Sequence, residues 1–478
     1  MKPKILLVDL PYVVQPSSDG AKVRSFHAFP YGLLSVATYN KHFADIRIFD
    51  CNKHETIEFL EVMRNFNPDI VGFSMMFDNS YKALSGMLYL VKTQFDSVTI
   101  LGGAAASYSY EEILSEQPHL DAICYSEGEI PLRYVLETGK LDHPSIITRA
   151  SLLNKTPVTP TFVEDLDHVI NIDYSFVNVE DYDMQEAFSP FVDHDKHKQF
   201  FISTSRGCPF KCTFCSNAKI HGKKMRFASV DKIIKHIESL VDGYGMDVLT
   251  IYDDQLLIDM NRAKDLFRKL VKFNLRIECP NGLSVAFIDD ELAGLMRLAG
   301  LDTAYLAIES GSPYVLHNLI KKPLRLPMVK PAVAILRKYD FFVHGFFVMG
   351  MPGEGVSHRL ETLRFLKEID LDWAGLNMAT PVRGSQLYED CIKNGWIEKQ
   401  KIEDIVDKKY IIAANGNPKE IEDEVYRMNL SVNFFNNRRM RIRDYQTAAR
   451  CFEEVLKRYP GHEWAKYFLE ACKERMNG

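Results

Sequence analysis

The 478-residue sequence predicts an α/β protein with two successive sets of parallel strands and a small helical region at its end. Three observations support this fold class. Short apolar runs alternate with helix-length amphipathic segments over residues 1–137, the same alternation resumes near residue 199, and the last stretch shows only helical periodicity. Strands separated by helix-length segments indicate βαβ units, which form parallel sheets.

The first strand set, residues 1–137, is predicted to form a doubly wound parallel sheet. Its strand candidates are Lys4–Asp9, Ile46–Asp50, Ile70–Ser74, Val98–Gly102 and Ala122–Tyr125. Helix candidates lie between them at Tyr31–Phe43, Thr56–Phe66, Asn79–Lys92 and Tyr110–Glu116. Ligands bind such a sheet beyond the carboxyl ends of its strands. Glycines at those ends would let a ligand approach the backbone closely.

Residues 138–198 are predicted to be a crossing linker, because prolines and mixed polar residues replace the apolar runs there. From residue 199 to about residue 410 the alternation returns as a series of β/α units, long enough for a partial barrel. The strand candidates of this second set are Phe200–Ile202, Val248–Tyr252, Thr303–Ile308, Val343–Val348 and Gly375–Ala379.

The final stretch, residues 411–478, is predicted to be helical. Within it, Asp444–Met476 resembles one tetratricopeptide unit, and no second copy follows. A single unit of that kind cannot bury its own apolar face. We therefore expect it to cap the barrel rather than to bind peptides.

The overall composition is that of a soluble globular protein, with 46% hydrophobic and 26% charged residues. A net charge of −6 argues against a nucleic-acid groove or an anionic membrane surface as the binding partner. No apolar run approaches the roughly 18–20 residues needed to span a bilayer, and the first residues read as a strand rather than a signal peptide. Nine unevenly spaced cysteines favour a reducing compartment, so we expect a cytoplasmic protein.

Three cysteines, Cys208, Cys212 and Cys215, follow the strand candidate Phe200–Ile202 with the spacing C-x3-C-x2-C. Three thiolates on one tight loop can ligate three irons of a cubane cluster and leave the fourth iron open. A structural zinc site is the alternative, but zinc usually takes four protein ligands, often as paired C-x2-C units. The sequence contains no second pair. An electron-transfer ferredoxin would need a fourth cysteine nearby.

Together with three later blocks, the cysteine run resembles the radical SAM (S-adenosylmethionine) superfamily. The blocks are Ile308–Ser312, Met349–Glu354 and Pro381–Tyr388, and they follow the cysteines in the family's order. The resemblance implies a partial (β/α)6 barrel, a [4Fe-4S] cluster and bound SAM. The enzyme would cleave SAM reductively to a 5′-deoxyadenosyl radical, which abstracts hydrogen from an unactivated C–H bond.

The resemblance also implies roles for single residues, although it identifies no catalytic side chain. Cys208, Cys212 and Cys215 would be the cluster ligands. For Asp253, contact with SAM competes with capping of the helix that follows. The residues implied in SAM binding are Phe214, Asp253, Glu309, Ser310, Gly350 and Pro352.

Arg383 stands where the family usually has a proline. A guanidinium at a strand end could bind a substrate carboxylate or phosphate. An internal ion pair with Asp253 or Asp254 is the alternative.

Residues 4–137 resemble the Rossmann-like cobalamin-binding domain that precedes the radical module in one large subgroup of the family. The resemblance rests on the strand ends and on their position ahead of the cysteine loop. The D-x-H-x-x-G sequence that supplies a histidine to cobalt in other cobalamin proteins does not occur here. The residues implied in cobalamin binding are Gly72, Ser74, Gly102, Gly103, Glu127 and Gly128.

The combined resemblance implies cobalamin-dependent methylation of an unactivated carbon or phosphorus centre. Two alternatives remain open at this point: a cobalamin-associated rearrangement or cyclisation without methyl transfer, and a radical enzyme whose first domain has lost cobalamin. The family further implies a small-molecule, lipid or peptide substrate and an electron donor such as flavodoxin or ferredoxin.

Overall fold

The structure, a computed structural model, describes residues 2–11, 28–182, 197–402 and 412–477. Its first sheet has the strand order β2-β1-β3-β4-β5-β6, parallel except for the antiparallel β6. These strands span Lys4–Asp9 (β1), Asp45–Asp50 (β2), Ile70–Ser74 (β3), Val98–Gly102 (β4), Ala122–Cys124 (β5) and Ile146–Ile147 (β6).

Helices cover both faces of this sheet, and two separate clusters of buried apolar side chains fill the space between. The central strands are therefore buried on both faces, which is why they read as continuous apolar runs rather than as alternating ones. The helices span Tyr31–Asn40 (α1), Thr56–Phe66 (α2), Tyr81–Gln94 (α3), Ala104–Tyr108 (α4), Tyr110–Glu116 (α5) and Glu129–Thr138 (α6). The predicted doubly wound α/β sheet is confirmed.

The segment predicted to be a linker contains more packed structure than its composition indicated. It supplies β6 and a short helix, Arg149–Leu153 (α7). Val163, Leu166 and Ile170 are buried in the same core as the barrel strands. Residues 183–196 of the predicted linker lie outside the described residues.

The second strand set forms two three-stranded parallel sheets, β7-β10-β11 and β12-β13-β14. Two parallel bridges, Ile277 with Leu301 and Leu283 with Leu306, join the sheets into one curved wall. The strands span Gln199–Ile202 (β7), Ser205–Arg206 (β8), Arg226–Phe227 (β9), Val248–Ile251 (β10), Arg276–Glu278 (β11), Thr303–Glu309 (β12), Phe342–Met349 (β13) and Trp373–Met378 (β14). The predicted partial six-stranded barrel is confirmed, with β11 as a strand that sequence analysis missed.

Helices surround the barrel. They span Ala218–His221 (α8), Val230–Tyr244 (α9), Met260–Leu270 (α10), Asp290–Leu298 (α11), Val329–Lys338 (α12), Val356–Ile369 (α13) and Gln386–Lys393 (α14). Of these, α9 to α13 bury apolar side chains against the barrel strands. A wide helical turn, Val315–Ile320, follows β12.

The last helices are Pro418–Asn429 (α15), Arg438–Arg441 (α16), Tyr445–Arg458 (α17) and Glu463–Asn477 (α18). Apolar side chains of α17 and α18 share one cluster with Phe342 and Trp373, the first residues of β13 and β14. These two helices therefore pack at the amino-terminal end of the barrel, away from the rim where the strand ends carry polar residues. Helix α15 instead buries Ile421, Val425 and Met428 in the core of the barrel. Within the described ranges, no helix is both long and apolar enough to cross a membrane.

Candidate cofactor-binding site

The carboxyl end of the first sheet faces the carboxyl end of the β7-β10-β11 sheet across a cavity of about 260 Å³. Asp9 and Ser74 line it from the ends of β1 and β3, while Ser203 and Tyr252 line it from beyond β7 and β10. Parallel sheets bind ligands at this edge. A molecule in the cavity would thus touch both strand sets at once.

The cysteine loop begins directly after β8 and is anchored to three different elements. Cys208 N–H donates to the Gly222 carbonyl at 3.2 Å, beyond α8. Thr213 N–H donates to Ile320 at 2.9 Å, and the Thr213 carbonyl accepts from Leu387 N–H at 2.8 Å. These bonds fix the loop backbone before any metal binds.

The three thiols are free and reach the surface of this loop, with Cys208 and Cys212 half-buried and Cys215 exposed. Burial raises the pKa of Cys212 to about 12, with the nearby Lys322 opposing the rise. A bound iron would supply the positive charge that deprotonates such a thiol outright.

The three thiols on one loop suit a cubane cluster. Among the described residues, no group of three or more His, Cys, Asp or Glu side chains is placed to hold one ion. In a cubane each thiolate binds a different iron, so the three sulfurs need not converge on one point. The spacing of the loop and its fixed backbone suit that requirement.

Gly207, the residue before Cys208, adopts a left-handed backbone with φ of 94°. A Cβ here would collide with the Lys224 carbonyl oxygen. We expect Gly207→Ala to lower the free energy of unfolding by about 1–3 kcal/mol and to reduce iron loading, because the loop must shift to make room.

Chemical denaturation and iron analysis measure these two effects, and Gly243→Ala is the matched control. Gly243 lies near the end of α9, and a Cβ added there would have no other atom within 4 Å, so alanine should raise stability by up to about 1 kcal/mol. Equal iron loading in both variants would contradict the role given to Gly207.

Glu309 lies beside the cysteines at the end of β12, where the strand has a bulge and φ is 73°. Its carboxylate forms an ion pair with Lys322, with 2.8 Å between Oε1 and Nζ, and both side chains are about nine-tenths buried. Ser310 has no exposed surface, and its hydroxyl accepts from Ser312 N–H at 3.1 Å. The Ser310 hydroxyl therefore supports the turn after β12, and direct contact of Ser310 with SAM stays a prediction.

Phe214 packs against the apolar cluster that contains Met351, so the cysteine loop and the turn after β13 share one wall. Pro352 is half-buried in that turn. Gly350 is buried with φ of 80°, and a Cβ there would lie 3.0 Å from the Met378 side chain. The structure thus brings Phe214 into the same apolar cluster as Met351, the residue before Pro352, while contact of Phe214 and Pro352 with adenine stays a prediction.

Glu354, at the end of the same turn, is a buried carboxyl whose pKa burial raises to about 7. It accepts from the Gly350 N–H, which holds the turn closed. Sequence analysis did not single out this role.

Asp253 is buried just beyond the end of β10. It accepts three hydrogen bonds from the two residues that follow Ser203, where the chain passes from β7 into β8 and on to the cysteines. Thr204 donates its N–H and its hydroxyl at 2.5 Å each, and Ser205 donates its hydroxyl at 2.7 Å. Burial raises the pKa of Asp253, with Arg262 and these donors opposing the rise. Both carboxylate oxygens thus accept hydrogen bonds within the protein, and contact of Asp253 with SAM stays a prediction.

The neighbouring Asp254 is the carboxylate that faces the cysteine loop. It is half-buried, and it contributes to raising the pKa of Cys208 and Cys215. Burial raises its own pKa as well. The Asp-Asp pair at the strand end was visible in the sequence, but only the structure shows which of the two points to the site.

In the first domain, Ser74 lines the cavity, and Gly102 is half-buried at the end of β4, where a Cβ would make only ordinary contact, 4.0 Å from the Phe73 carbonyl oxygen. These two positions fit the approach of a large planar group. Gly103 has φ of 102°, and an added Cβ would lie 2.5 Å from the Met75 carbonyl oxygen. The backbone therefore requires glycine at this position even when no ligand is bound.

Gly72 is buried in the middle of β3, where a Cβ would lie 2.9 Å from the Leu7 side chain. Its missing side chain makes room for packing on the sheet. Its contact with cobalamin stays a prediction.

Glu127, also predicted to contact cobalamin, belongs to a buried group of ion pairs, and its contact with the cofactor stays a prediction. Its carboxylate is buried and pairs with Arg226 at 2.7 Å, His221 at 2.9 Å and Arg206 at 3.2 Å, all from the barrel. Burial alone would raise its pKa, but the hydrogen bonds from His221 and Arg226 hold the pKa well below its usual value. Gly128 lies against Val36 of α1, and its contact with cobalamin stays a prediction.

Arg383 forms its ion pair with Glu112 rather than with Asp253 or Asp254. It donates to Glu112 of α5 at 2.7 Å and to the Gln400 carbonyl at 2.6 Å, and it is buried. The adjacent Gly384 has φ of 85° and lies directly under the ring of Tyr108. The contacts with Glu112 and Tyr108 cross from the barrel to the first domain.

Tyr108 is a site residue that sequence analysis missed. It ends α4, at the ligand-binding edge of the first sheet, and lies close to Ser216, Cys215 and Asp254. Burial raises the pKa of Tyr108 to about 12, with a hydrogen bond to Ser216 opposing the rise. Its position was not readable from the sequence, because it depends on how the two domains dock.

Comparison with known families agrees with this two-part site. The family described as the radical SAM superfamily matches residues 202–366, and the B12 binding domain family matches residues 20–136.

Two curated relatives illustrate the range of activities. The chain is 30% identical over 378 residues to the cytidylyl-2-hydroxyethylphosphonate methyltransferase of Streptomyces wedmorensis, covering 72% of this chain and 70% of that protein. It is 26% identical to the anaerobic magnesium-protoporphyrin IX monomethyl ester cyclase of Rubrivivax gelatinosus, covering 76% of this chain and 65% of that protein.

Among solved structures, the chain is similar to the radical S-adenosylmethionine methyltransferase TsrM from Kitasatospora setae, whose structure holds cobalamin and a [4Fe-4S] cluster. The TM-score is 0.64 at 15% sequence identity, over 82% of this chain and 78% of that one. The two proteins share a fold.

Proposed function

Since the chain belongs to the radical SAM superfamily enzymes that carry a B12 binding domain, we propose that it methylates an unactivated carbon or phosphorus centre of a small molecule. The family uses a [4Fe-4S] cluster, SAM and cobalamin. The observation that carries the proposal is the 30% identity over 378 residues to a cytidylyl-2-hydroxyethylphosphonate methyltransferase.

The cofactors supply an electron that splits SAM to a 5′-deoxyadenosyl radical, and a carrier for the methyl group. We assign Cys208, Cys212 and Cys215 as the cluster ligands. The anchored backbone of their loop holds the thiols in place, so metal binding needs little reorganisation.

Other residues shape the space next to the cluster. Phe214 and Pro352 supply the apolar wall expected for adenine. Asp254 offers a carboxylate that could accept a hydrogen bond from the amino group of SAM, while the Glu309–Lys322 pair presents balanced charge beside Cys212.

The first domain closes this space from the opposite side. Tyr108 reaches from the edge of the first sheet to the cysteine loop, and the cavity between the strand ends is lined largely by apolar and aromatic side chains. Excluding water in this way protects a reactive radical from side reactions. We further propose that the electron donor is a flavodoxin or ferredoxin.

The test is product analysis of anaerobically reconstituted protein with SAM labelled on its methyl group and a candidate phosphonate substrate. We expect S-adenosylhomocysteine and 5′-deoxyadenosine in equal amounts, with the label in the product. This ratio follows because one SAM donates the methyl group and a second generates the radical.

A second candidate function is oxidative cyclisation without methyl transfer, favoured by the similarity to a cyclase. Deoxyadenosine release without S-adenosylhomocysteine, and an unlabelled product of changed mass, would establish cyclisation and reject methylation. Metal analysis that finds iron but no cobalt would instead show that the first domain has no cofactor.

A further inference from the structure

A buried cluster of charged side chains lies where the first domain meets the start of the cysteine loop. Glu127 and Glu129 come from the end of β5 and the start of α6. Arg206 and Arg226 come from β8 and β9. The side chains of all four are at least nine-tenths buried, and His221 of α8 completes the cluster at its half-buried edge.

Arg206 is the residue that joins the two carboxylates. Its guanidinium lies 3.2 Å from Glu127 and 2.8 Å from Glu129, and it donates to the Ser35 hydroxyl at 3.0 Å. Ser35 in turn donates to Glu129 at 2.6 Å. A planar guanidinium held by partners on several sides has little freedom to move.

Arg206 also stands two residues before Cys208, separated from it only by Gly207. The backbone just upstream is held from both domains as well. Ser203 N–H donates to the Tyr31 hydroxyl of α1 at 3.1 Å, while Asp253 binds the next residue from the barrel side. The first domain therefore fixes the path of the chain as it enters the cysteine loop.

Stability alone does not account for this cluster, because burying charges costs desolvation free energy that a well-packed apolar cluster would avoid. What the ionic cluster adds is a defined geometry between two parts of the protein. One part is the strand end where Gly128 is predicted to meet cobalamin, and the other part is the loop assigned to the iron–sulfur cluster.

We propose that Arg206 is a positioning residue that couples the position of the cysteine loop to the position of the first domain. Through Glu129, Glu127 and Ser35, the two cofactor sites are held in one relative position. The inference rests on the proposed assignment of the cluster ligands. It explains what holds those ligands in position.

The test uses reconstituted holoenzyme and the variants Glu129→Gln and Ser35→Ala. Glu129→Gln keeps the shape of the side chain and removes one charge, while Ser35→Ala removes only a hydroxyl and should leave the fold intact. Glu112→Gln is the matched control, since it breaks a second ion pair that joins the domains, between Glu112 and Arg383, without touching Arg206.

The first readout is hydrogen exchange of the amides in residues 207–222, followed by mass spectrometry. We expect exchange to become roughly tenfold faster or more in Glu129→Gln and to rise less in Ser35→Ala, because local opening frees the loop. In Glu112→Gln the same amides should exchange at the wild-type rate.

The second readout is the electron paramagnetic resonance spectrum of the reduced cluster with and without SAM. We expect the SAM-dependent change of the spectrum to be altered in Glu129→Gln and preserved in Glu112→Gln. Unchanged exchange and spectra in Glu129→Gln, or equal changes in the Glu112→Gln control, would overturn the inference while leaving the cluster assignment intact. Wild-type protein that binds no iron–sulfur cluster would overturn both.

Discussion

Cys212→Ala is expected to abolish iron–sulfur loading and to reduce 5′-deoxyadenosine release by roughly a thousandfold or more, because SAM cleavage requires the electron that the cluster delivers. With only two thiolates left on the loop, the cubane loses one of its three protein ligands. The same result is expected for Cys208→Ala and Cys215→Ala. Iron and sulfide content, the absorbance of the anaerobic protein and chromatography of the nucleoside measure the effect.

The matched control is Cys451→Ala. Cys451 is fully buried in the C-terminal helical region and far along the chain from the site. Removing its sulfur leaves a small cavity that costs about 1 kcal/mol, with iron content and nucleoside release unchanged. A variant of the cysteine trio that keeps its iron and its SAM cleavage would show that the loop does not hold the cluster.

Asp372→Asn is expected to give the largest loss of stability among the single substitutions considered, about 3–5 kcal/mol in the free energy of unfolding. Asp372 is buried just before β14 and forms ion pairs with Arg337, Arg438 and Arg439. It also accepts from Val343 N–H at 2.7 Å. Neutralising it leaves three arginines without their shared counter-charge.

Because two of these arginines belong to α16, we expect the C-terminal helices to detach from the barrel first. Urea unfolding followed by circular dichroism measures the stability, and limited proteolysis detects the detached helices. Asp370→Asn is the matched control, since Asp370 lies two residues earlier, is about half-exposed and pairs with Arg438 and Arg441.

Exposed ion pairs contribute about 0–1 kcal/mol, so Asp370→Asn should change stability little. Asparagine also tolerates the left-handed backbone at this position, where φ is 52°. Equal losses in the two variants would show that burial of the Asp372 cluster is not what attaches the helices.

The alternation of the strands was readable from the sequence because burial on both faces of a parallel sheet selects continuous apolar runs. Lys4–Asp9, Ile70–Ser74 and Val98–Gly102 have the predicted bounds. The missed strand Arg276–Glu278 is three residues long with a charged residue at each end, so it carries no such signal. The missed β6, of two residues, is equally hard to recognise because it is so short.

The buried helix that starts at Glu129 was missed for a different reason. Its segment was interpreted only as a strand end, because Glu127, Gly128 and Glu129 match a ligand-binding pattern. The structure shows that the two carboxylates are neutralised by arginines from the barrel, about 80 to 100 residues further along the chain. Neither partner can be identified from the local pattern.

The sequence by itself determined the features whose physical cause is local. The C-x3-C-x2-C spacing places three thiols on one loop, apolar periodicity specifies the elements, and the glycine before Cys208 permits the turn into that loop. Tertiary structure alone decided which carboxylates are free and which are paired. Asp253, Glu127 and Arg383 look available in the sequence, yet each is buried against a partner from a distant segment. The reason is that a charge can be buried only where folding brings an opposite charge or hydrogen-bond donors to it, and that pairing depends on how the domains dock.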